Sequence, residues 1–354
     1  MSLQSTAELP TKLSRGLENL RKLDEEDIRI GCTPREVVYR HDHVELVHFE
    51  RPEDSPPTLR TPILISYALV NRPYMVDLQE NRSLVRNLQA KGLDIYLVDW
   101  GYPGPIERWL TLDDLLEEYL DACVDEVRRR SGCEAINLLG ICQGGALALC
   151  YTALHPQKVK NLVTMVAPVD FDVEPRPDSG LLNAWIRGLD VDAMVEAMGN
   201  VPGDLMNFGY LMLRPFSLNI GKYLALPDVL DDEAKLVNFL RMEKWIFDSP
   251  DQPGEVFRKF VRDFYQRNLL VKGELEIEGR RVELARIKQP VLNVYAEQDH
   301  LVPPESSKAL SKVVGSRDYT ERGFPTGHIG MYVSGKVQRD LPELIGRWLS
   351  ERDA

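Results

Sequence analysis

Cys142, Asp299 and His328 are the residues whose types and order point to chemistry. Cys142 lies in "LLGICQGGALALCYTAL" (138–154), an apolar run, a Gly-x-Cys-x-Gly-Gly turn and a second apolar run. That pattern reads as strand, sharp turn and helix, with a thiol where such turns present a nucleophile. Gly140, Gly144 and Gly145 are small enough for strand and helix to approach each other, and the Gln143 N–H at the start of the helix faces an oxyanion. The bland alternative is a small buried cysteine; Cys150, eight residues on in the apolar helix, fits that role. A nucleophile needs a base, and the base needs an orienting carboxylate. In chain order the acid follows the nucleophile and the histidine comes last. His300 and His328 are the two histidines far enough downstream. "VLNVYAEQDH" runs a strand into a loop and puts Asp299 at the strand's C-terminal end. "GFPTGHIG" places His328 in a glycine-rich loop. Asp299 is expected to accept from the His328 Nδ1–H, leaving Nε2 to take the thiol proton. His300 is the rival base; its adjacency to Asp299 points it elsewhere and leaves it a supporting candidate. The second oxyanion donor is expected from "ALVNRP" (68–73), as the Val70 N–H with Asn71 beside it.

These residues need a frame. "TPILISYALV", "LDIYLVDW", "EAINLLGI" and "VKNLVTMVAPVDF" are apolar strands separated by helical patterns. From 61 to 171 they give a β-α-β-α-β-α-β rhythm, a mostly parallel sheet flanked by helices. The rhythm breaks over 172–286 and resumes at "QPVLNVYAEQDHLVPPESS". The expected organisation is therefore an N-terminal helical segment (1–34), an α/β core (35–171 and 287–354) and an inserted cap (172–286) between the strand after the nucleophile helix and the strand carrying the acid. A structureless insertion of that length would be improbable. Residues 8–28 suggest a weakly amphipathic helix. "REVVYRHDHVELVHFER" suggests a hairpin in which His41 and His43 share a face and His48 takes the other, without the carboxylate or cysteine spacing of a metal site. Aromatic residues of the cap, namely Trp185, Phe208, Tyr210, Phe216, Tyr223, Phe239, Trp245 and Phe247, are candidates for excluding water from a site or for packing the cap itself.

The 354 residues are 44% hydrophobic, enough for a sizeable core, and carry a net charge of -12, which argues against a general nucleic-acid binder. The N-terminus shows no secretory pattern, and no apolar run reaches the length of a membrane span. Five scattered cysteines give neither a disulfide framework nor a zinc site. The expectation is a cytoplasmic chain with reduced thiols and no metal.

"GICQGG", "AEQDHLVP" and "GHIGMYVSG", together with "YALVNRPYMVDL" and "VDWGYP", resemble the catalytic subunit of class III polyhydroxyalkanoate synthases, members of the α/β-hydrolase superfamily. The likeness spans nearly the whole chain. The related class IV subunits commonly differ at the position of Gln143, and class I and II enzymes have a longer N-terminal extension. The resemblance implies polymerisation of (R)-3-hydroxyacyl-CoA, chiefly 3-hydroxybutyryl-CoA, into a polyester with release of CoA. It makes Cys142 the acyl-carrying nucleophile with Asp299 and His328 as partners, and leaves open whether His328 or Asp299 activates the incoming hydroxyl. It also implies a homodimer, a non-catalytic partner subunit and residence at polymer granules. No cofactor is implied, because the CoA thioester is a substrate. A thiol suits such a substrate: transfer from CoA to Cys142 exchanges one thioester for another and keeps the acyl group activated. Arg72, Arg214 and Lys222 are candidates by charge for the CoA phosphates, and residues 1–30 and the cap are candidate partner surfaces. The alternatives are a cysteine hydrolase resembling dienelactone hydrolase or a thioesterase, which hands the acyl group to water, and a granule scaffold without activity.

Overall fold

The computed structural model describes residues 18–51, 56–174, 181–213 and 226–353. Eight strands form the central sheet: β1 (Arg35–His41), β2 (Val44–Phe49), β3 (Ile63–Ser66), β4 (Ile95–Asp99), β5 (Ile136–Ile141), β6 (Val159–Met165), β7 (Val291–Ala296) and β8 (Tyr319–Phe324). Their spatial order is β1-β2-β4-β3-β5-β6-β7-β8. β2 pairs antiparallel with β1 and β4, and every pairing from β4 to β8 is parallel. The inner parallel strands are covered on both faces, so they are apolar nearly throughout, as in β5, where all six residues are buried; the edge strand β8 (YTERGF) is largely polar and only Phe324 is buried. Alternation along each strand then divides the core. Leu64, Leu138 and Leu162 join one apolar cluster, and Ile65, Leu139 and Val163 join the other.

Helices α1 (Leu84–Gln89), α2 (Asp121–Ser131) and α3 (Gln143–Leu154) follow β3, β4 and β5. α3 is buried from Gln143 to Ala153 because it lies between the sheet and further packed layers. The cap contributes α4 (Leu181–Arg187), α5 (Val191–Met198), α6 (Gly203–Met212), α7 (Glu233–Ile246) and α8 (Gly254–Lys259), the last continuing into a π-helix over Phe260–Gln266. The C-terminal α9 (Gly335–Ser350) buries Val337, Leu341, Ile345 and Trp348 at three- and four-residue spacing against the sheet.

The segment 172–286 does not pack as one body. Leu182, Ile186, Val191 and Val195 form a cluster of their own with Phe257 and Val261. Val256, Phe260, Phe264 and Leu275 belong to the same cluster as α3. α8 and the π-helix therefore root the insertion in the core, and α4 to α6 are carried on that root. Arg258 and Arg262 both pair with Asp192, tying α5 to it.

Two local expectations change. The helix expected over 8–28 is present among the described residues only at 18–22, and Asp24 then caps a turn by accepting from the N–H groups of Glu26 and Asp27. This segment is not a free face: Asn19 donates to the Leu230 carbonyl, and Arg241 donates to that of Asp27. The hairpin is present, but its turn falls at Asp42, with φ 51°, and separates His41 on β1 from His43. The two do not share a strand face.

Candidate functional site

Cys142 sits between β5 and α3 with φ 55° and ψ -124°, a conformation that a residue with a Cβ rarely adopts. Two backbone bonds hold the turn: Cys142 N–H donates to the Met165 carbonyl at 2.9 Å, and Gly145 N–H donates to the Cys142 carbonyl at 2.9 Å. The glycines are required by contact. A Cβ on Gly144 would stand 2.2 Å from the Ser66 carbonyl oxygen, and one on Gly145 would stand 2.3 Å from the Ala167 Cβ. Gly144→Ala is expected to destabilise the fold by about 3 kcal/mol or more, because the obstacle is β3 backbone with no room to yield; denaturant titration measures this.

Asp299 and His328 meet the cysteine from the loops after β7 and β8. Both are buried, and the His328 Nδ1 to Asp299 Oδ2 distance is 2.7 Å. The other carboxylate oxygen accepts from the N–H groups of Leu301 and Val302, both at 2.9 Å, which fixes the acid's orientation. Burial disfavours the imidazolium, but the charge of Asp299 and the sulfur of Cys142 outweigh it. His328 therefore holds its proton well above the ordinary histidine range. His300 lines the same cavity as Cys142 and His328.

The Gln143 N–H is the first of α3 and has no acceptor within it. The Gln143 side chain has a job that its type alone does not reveal: Oε1 accepts from the Leu69 N–H at 3.1 Å. Cap residues hold the rest of that loop. Gln252 donates to the Leu69 carbonyl at 2.8 Å, Trp245 Nε1 to the Arg72 carbonyl at 3.0 Å, and Asn71 to Ser249 at 3.1 Å. Val70 and Cys142 both line the cavity, and among the described residues no acceptor engages the Val70 N–H.

The cavity has a volume of about 350 Å³ and is predominantly apolar. Of the aromatics that were candidates either for the site or for packing the cap, Tyr210 and Trp245 line the cavity. Trp185, Phe208 and Phe247 are 48%, 61% and 54% exposed instead, Phe239 is half-buried outside the lining, and Phe216 and Tyr223 lie outside the described residues. Phe257, Phe260 and Tyr265 take the wall in their place. The i→i+5 ladder of the π-helix brings Phe260 and Tyr265, five apart, to one side. Tyr67 and Tyr332 also line the cavity, their rings 6.2 Å apart and their phenols within each other's influence; burial pushes both phenols up. Neither tyrosine is visible as a site residue in the sequence, since one continues a buried strand and the other sits in a short helical turn.

Arg72 is not available to a phosphate. It bonds Asp99 at 2.7 Å and the Gly101 carbonyl at 2.9 Å, and its guanidinium lies 4.2 Å above the Tyr102 ring. Arg214 and Lys222 lie outside the described residues. No described helix is long and apolar enough to cross a membrane.

Known proteins can now be set beside this geometry. The alpha/beta hydrolase fold family matches residues 61–334, and the family of the poly-beta-hydroxybutyrate polymerase (PhaC) N-terminus matches residues 4–88. The poly(3-hydroxyalkanoate) polymerase subunit PhaC of Synechocystis sp. is 57% identical over 99% of this chain and 93% of its own length. The subunit of the same name from Allochromatium vinosum is 53% identical over 99% of this chain and 97% of its own. Among solved structures, a monoacylglycerol lipase from Paleococcus ferrophilus superposes with TM-score 0.52 at 17% identity, covering 84% of this chain and 96% of that one. The non-heme bromoperoxidase BpoC of Mycobacterium tuberculosis gives 0.54 at 12% identity over 89% of this chain and all of that one. These two likenesses concern the fold. With the sheet order and the elbow, they place the architecture in the α/β-hydrolase superfamily; within it, the chain belongs to the poly(3-hydroxyalkanoate) polymerase PhaC family, enzymes of the acyltransferase type.

Proposed function

We propose that the chain polymerises (R)-3-hydroxyacyl-CoA, chiefly 3-hydroxybutyryl-CoA, through a thioester on Cys142. The observation that carries this reading is that Cys142 and the Asp299-bound His328 line one predominantly apolar cavity, in a chain of the PhaC family. His328 takes the Cys142 proton, and the sulfur attacks the thioester carbonyl. The oxyanion is met by the Val70 and Gln143 N–H groups. The carbon–sulfur bond to CoA breaks, and CoA leaves with the proton from His328. A 3-hydroxyl of the next substrate then loses its proton to His328, and its oxygen attacks the Cys142 thioester. The new ester forms, Sγ is released and the proton returns to it. Asp299 stabilises the imidazolium in both halves. A wall of Trp245, Phe257 and Phe260 keeps water from competing with the hydroxyl. We place the enzyme in the cytoplasm at polymer granules, as a homodimer working with a non-catalytic partner subunit.

The test is incubation with 3-hydroxybutyryl-CoA, with and without a non-catalytic subunit of the family, following thiol release and sedimentable polyester together. Both are expected. Thiol release with free 3-hydroxybutyrate and no polyester would replace this reading with hydrolysis. No thiol release under either condition would leave a scaffold.

A further inference from the structure

Most polar groups around the cavity are already engaged. Gln143 and Gln252 hold the Leu69 peptide, His328 is held by Asp299, and the Tyr67 and Tyr332 phenols lie within each other's influence. Three groups in the cap wall are not. Asn207 and Tyr210 lie three residues apart on α6 and so project from one face, and Tyr265 comes from the π-helix; all three line the cavity. Among the described residues, no hydrogen bond engages the Asn207 carboxamide or either of these two hydroxyls. Asn207 is only 8% exposed, yet its amide atoms are not among the fully enclosed unpartnered ones, so they open onto the cavity that the residue lines. A carboxamide so placed keeps its hydrogen-bonding capacity for a group that enters the cavity. Tyr265 is held rigidly, with its ring 4.8 Å from that of Phe171 and 6.0 Å from that of Phe260. The phenols of Tyr210 and Tyr265 lie within electrostatic reach of the Cys142 sulfur and Tyr265 within reach of Tyr210, and Asn207 lines the same cavity on the helix that carries Tyr210.

We propose that Asn207, Tyr210 and Tyr265 form a subsite that binds the oxygen at the 3-position of the acyl unit loaded on Cys142. This inference rests on the polymerase reading. A 3-hydroxyl needs both a donor and an acceptor, and the carboxamide supplies both. Once the chain has grown, the same oxygen is part of an ester, which only accepts, and the two phenol O–H groups can donate to it. The subsite thus recognises hydroxyacyl units and their oligomers against plain acyl chains in an otherwise apolar pocket. An apolar wall alone discriminates poorly against a missing hydroxyl, whereas a site built to hydrogen-bond one rejects its absence.

The test compares 3-hydroxybutyryl-CoA with butyryl-CoA, which can load Cys142 and release one CoA but has no hydroxyl to extend. Asn207→Leu and the double variant Tyr210→Phe/Tyr265→Phe are measured in the full chain. In each, KM for 3-hydroxybutyryl-CoA is expected to rise about tenfold or more, while single-turnover loading by butyryl-CoA stays within roughly twofold. An unchanged KM, or an equal loss with both substrates, would overturn the subsite. The double variant removes only two oxygens and keeps the packing, so it carries the test if Asn207→Leu does not fold. If the wild-type chain hydrolyses 3-hydroxybutyryl-CoA and makes no polyester, the polymerase reading fails, yet the same comparison of hydrolysis rates still decides the subsite.

Discussion

Cys142→Ala is expected to abolish CoA release and polyester formation, with turnover at least about 10⁴-fold below wild type, and to fold with an unchanged melting temperature. The loss is large because no other thiol can replace it. Cys123 and Cys150 are buried in the core, where burial pushes their thiols up to about 12, while Cys32 and Cys133 are bonded to Asp77 and to the Arg60 carbonyl and do not line the cavity. The folded state tolerates the change because the methyl group keeps the same backbone and asks for no more space. Cys142→Gly separates the two roles of the position. At φ 55° and ψ -124° the cysteine holds strain that a glycine does not, so Gly is expected to be as inactive as Ala and about 1 kcal/mol more stable. Thiol release, sedimented polyester and denaturant titration on the three proteins read all of this. A stable, active alanine variant would remove Cys142 from the mechanism.

Asp299→Asn carries the second large effect: a fall in turnover of about 10³–10⁴-fold, with a pH signature in stability. The acid holds His328 through a 2.7 Å bond, and in the proposed mechanism it stabilises the imidazolium that forms when the thiol gives up its proton. An amide presents the wrong charge and, in one of its two orientations, the wrong atom. His328 binds its proton more tightly in the folded state than in the unfolded chain. Its contribution to stability is therefore complete below the unfolded value of about 6.5 and is lost as pH rises through the higher folded value. The melting temperature of Asp299→Asn is accordingly expected to fall furthest below wild type under pH ~6.5, and the gap to narrow as the solution becomes more alkaline. A gap that widened with rising pH would contradict the assignment of the imidazolium to this pair.

The turn at Cys142 and the pairing of Asp299 with His328 were legible because chemistry constrains the order and setting of such residues. The elbow needs glycines that sterics dictate, the acid ends a strand, and the histidine closes a loop. The parallel sheet was legible because strands covered on both faces must be apolar without interruption, as β5 is. The cavity wall was not. A helical periodicity of 3.6 does not reveal that Phe260–Gln266 turns as a π-helix, which is why Tyr265 went unnamed and the exposed Trp185 and Phe208 did not. Charge alone did not disclose that Arg72 is spent on Asp99, nor did residue type show that the Gln143 carboxamide holds the Leu69 N–H. Those roles depend on side-chain partners far away in the chain, and no local pattern records them.

The central claim is that the growing acyl group resides on the Cys142 sulfur and is passed from there to a hydroxyl. Acid-quenched mass spectrometry of the protein during turnover of 3-hydroxybutyryl-CoA tests it directly. The account predicts a peptide containing Cys142 that carries one or more hydroxybutyryl units, removable by hydroxylamine at neutral pH and absent in Cys142→Ala. Polyester formed with that peptide unmodified throughout, or with the acyl units on another residue, would contradict it.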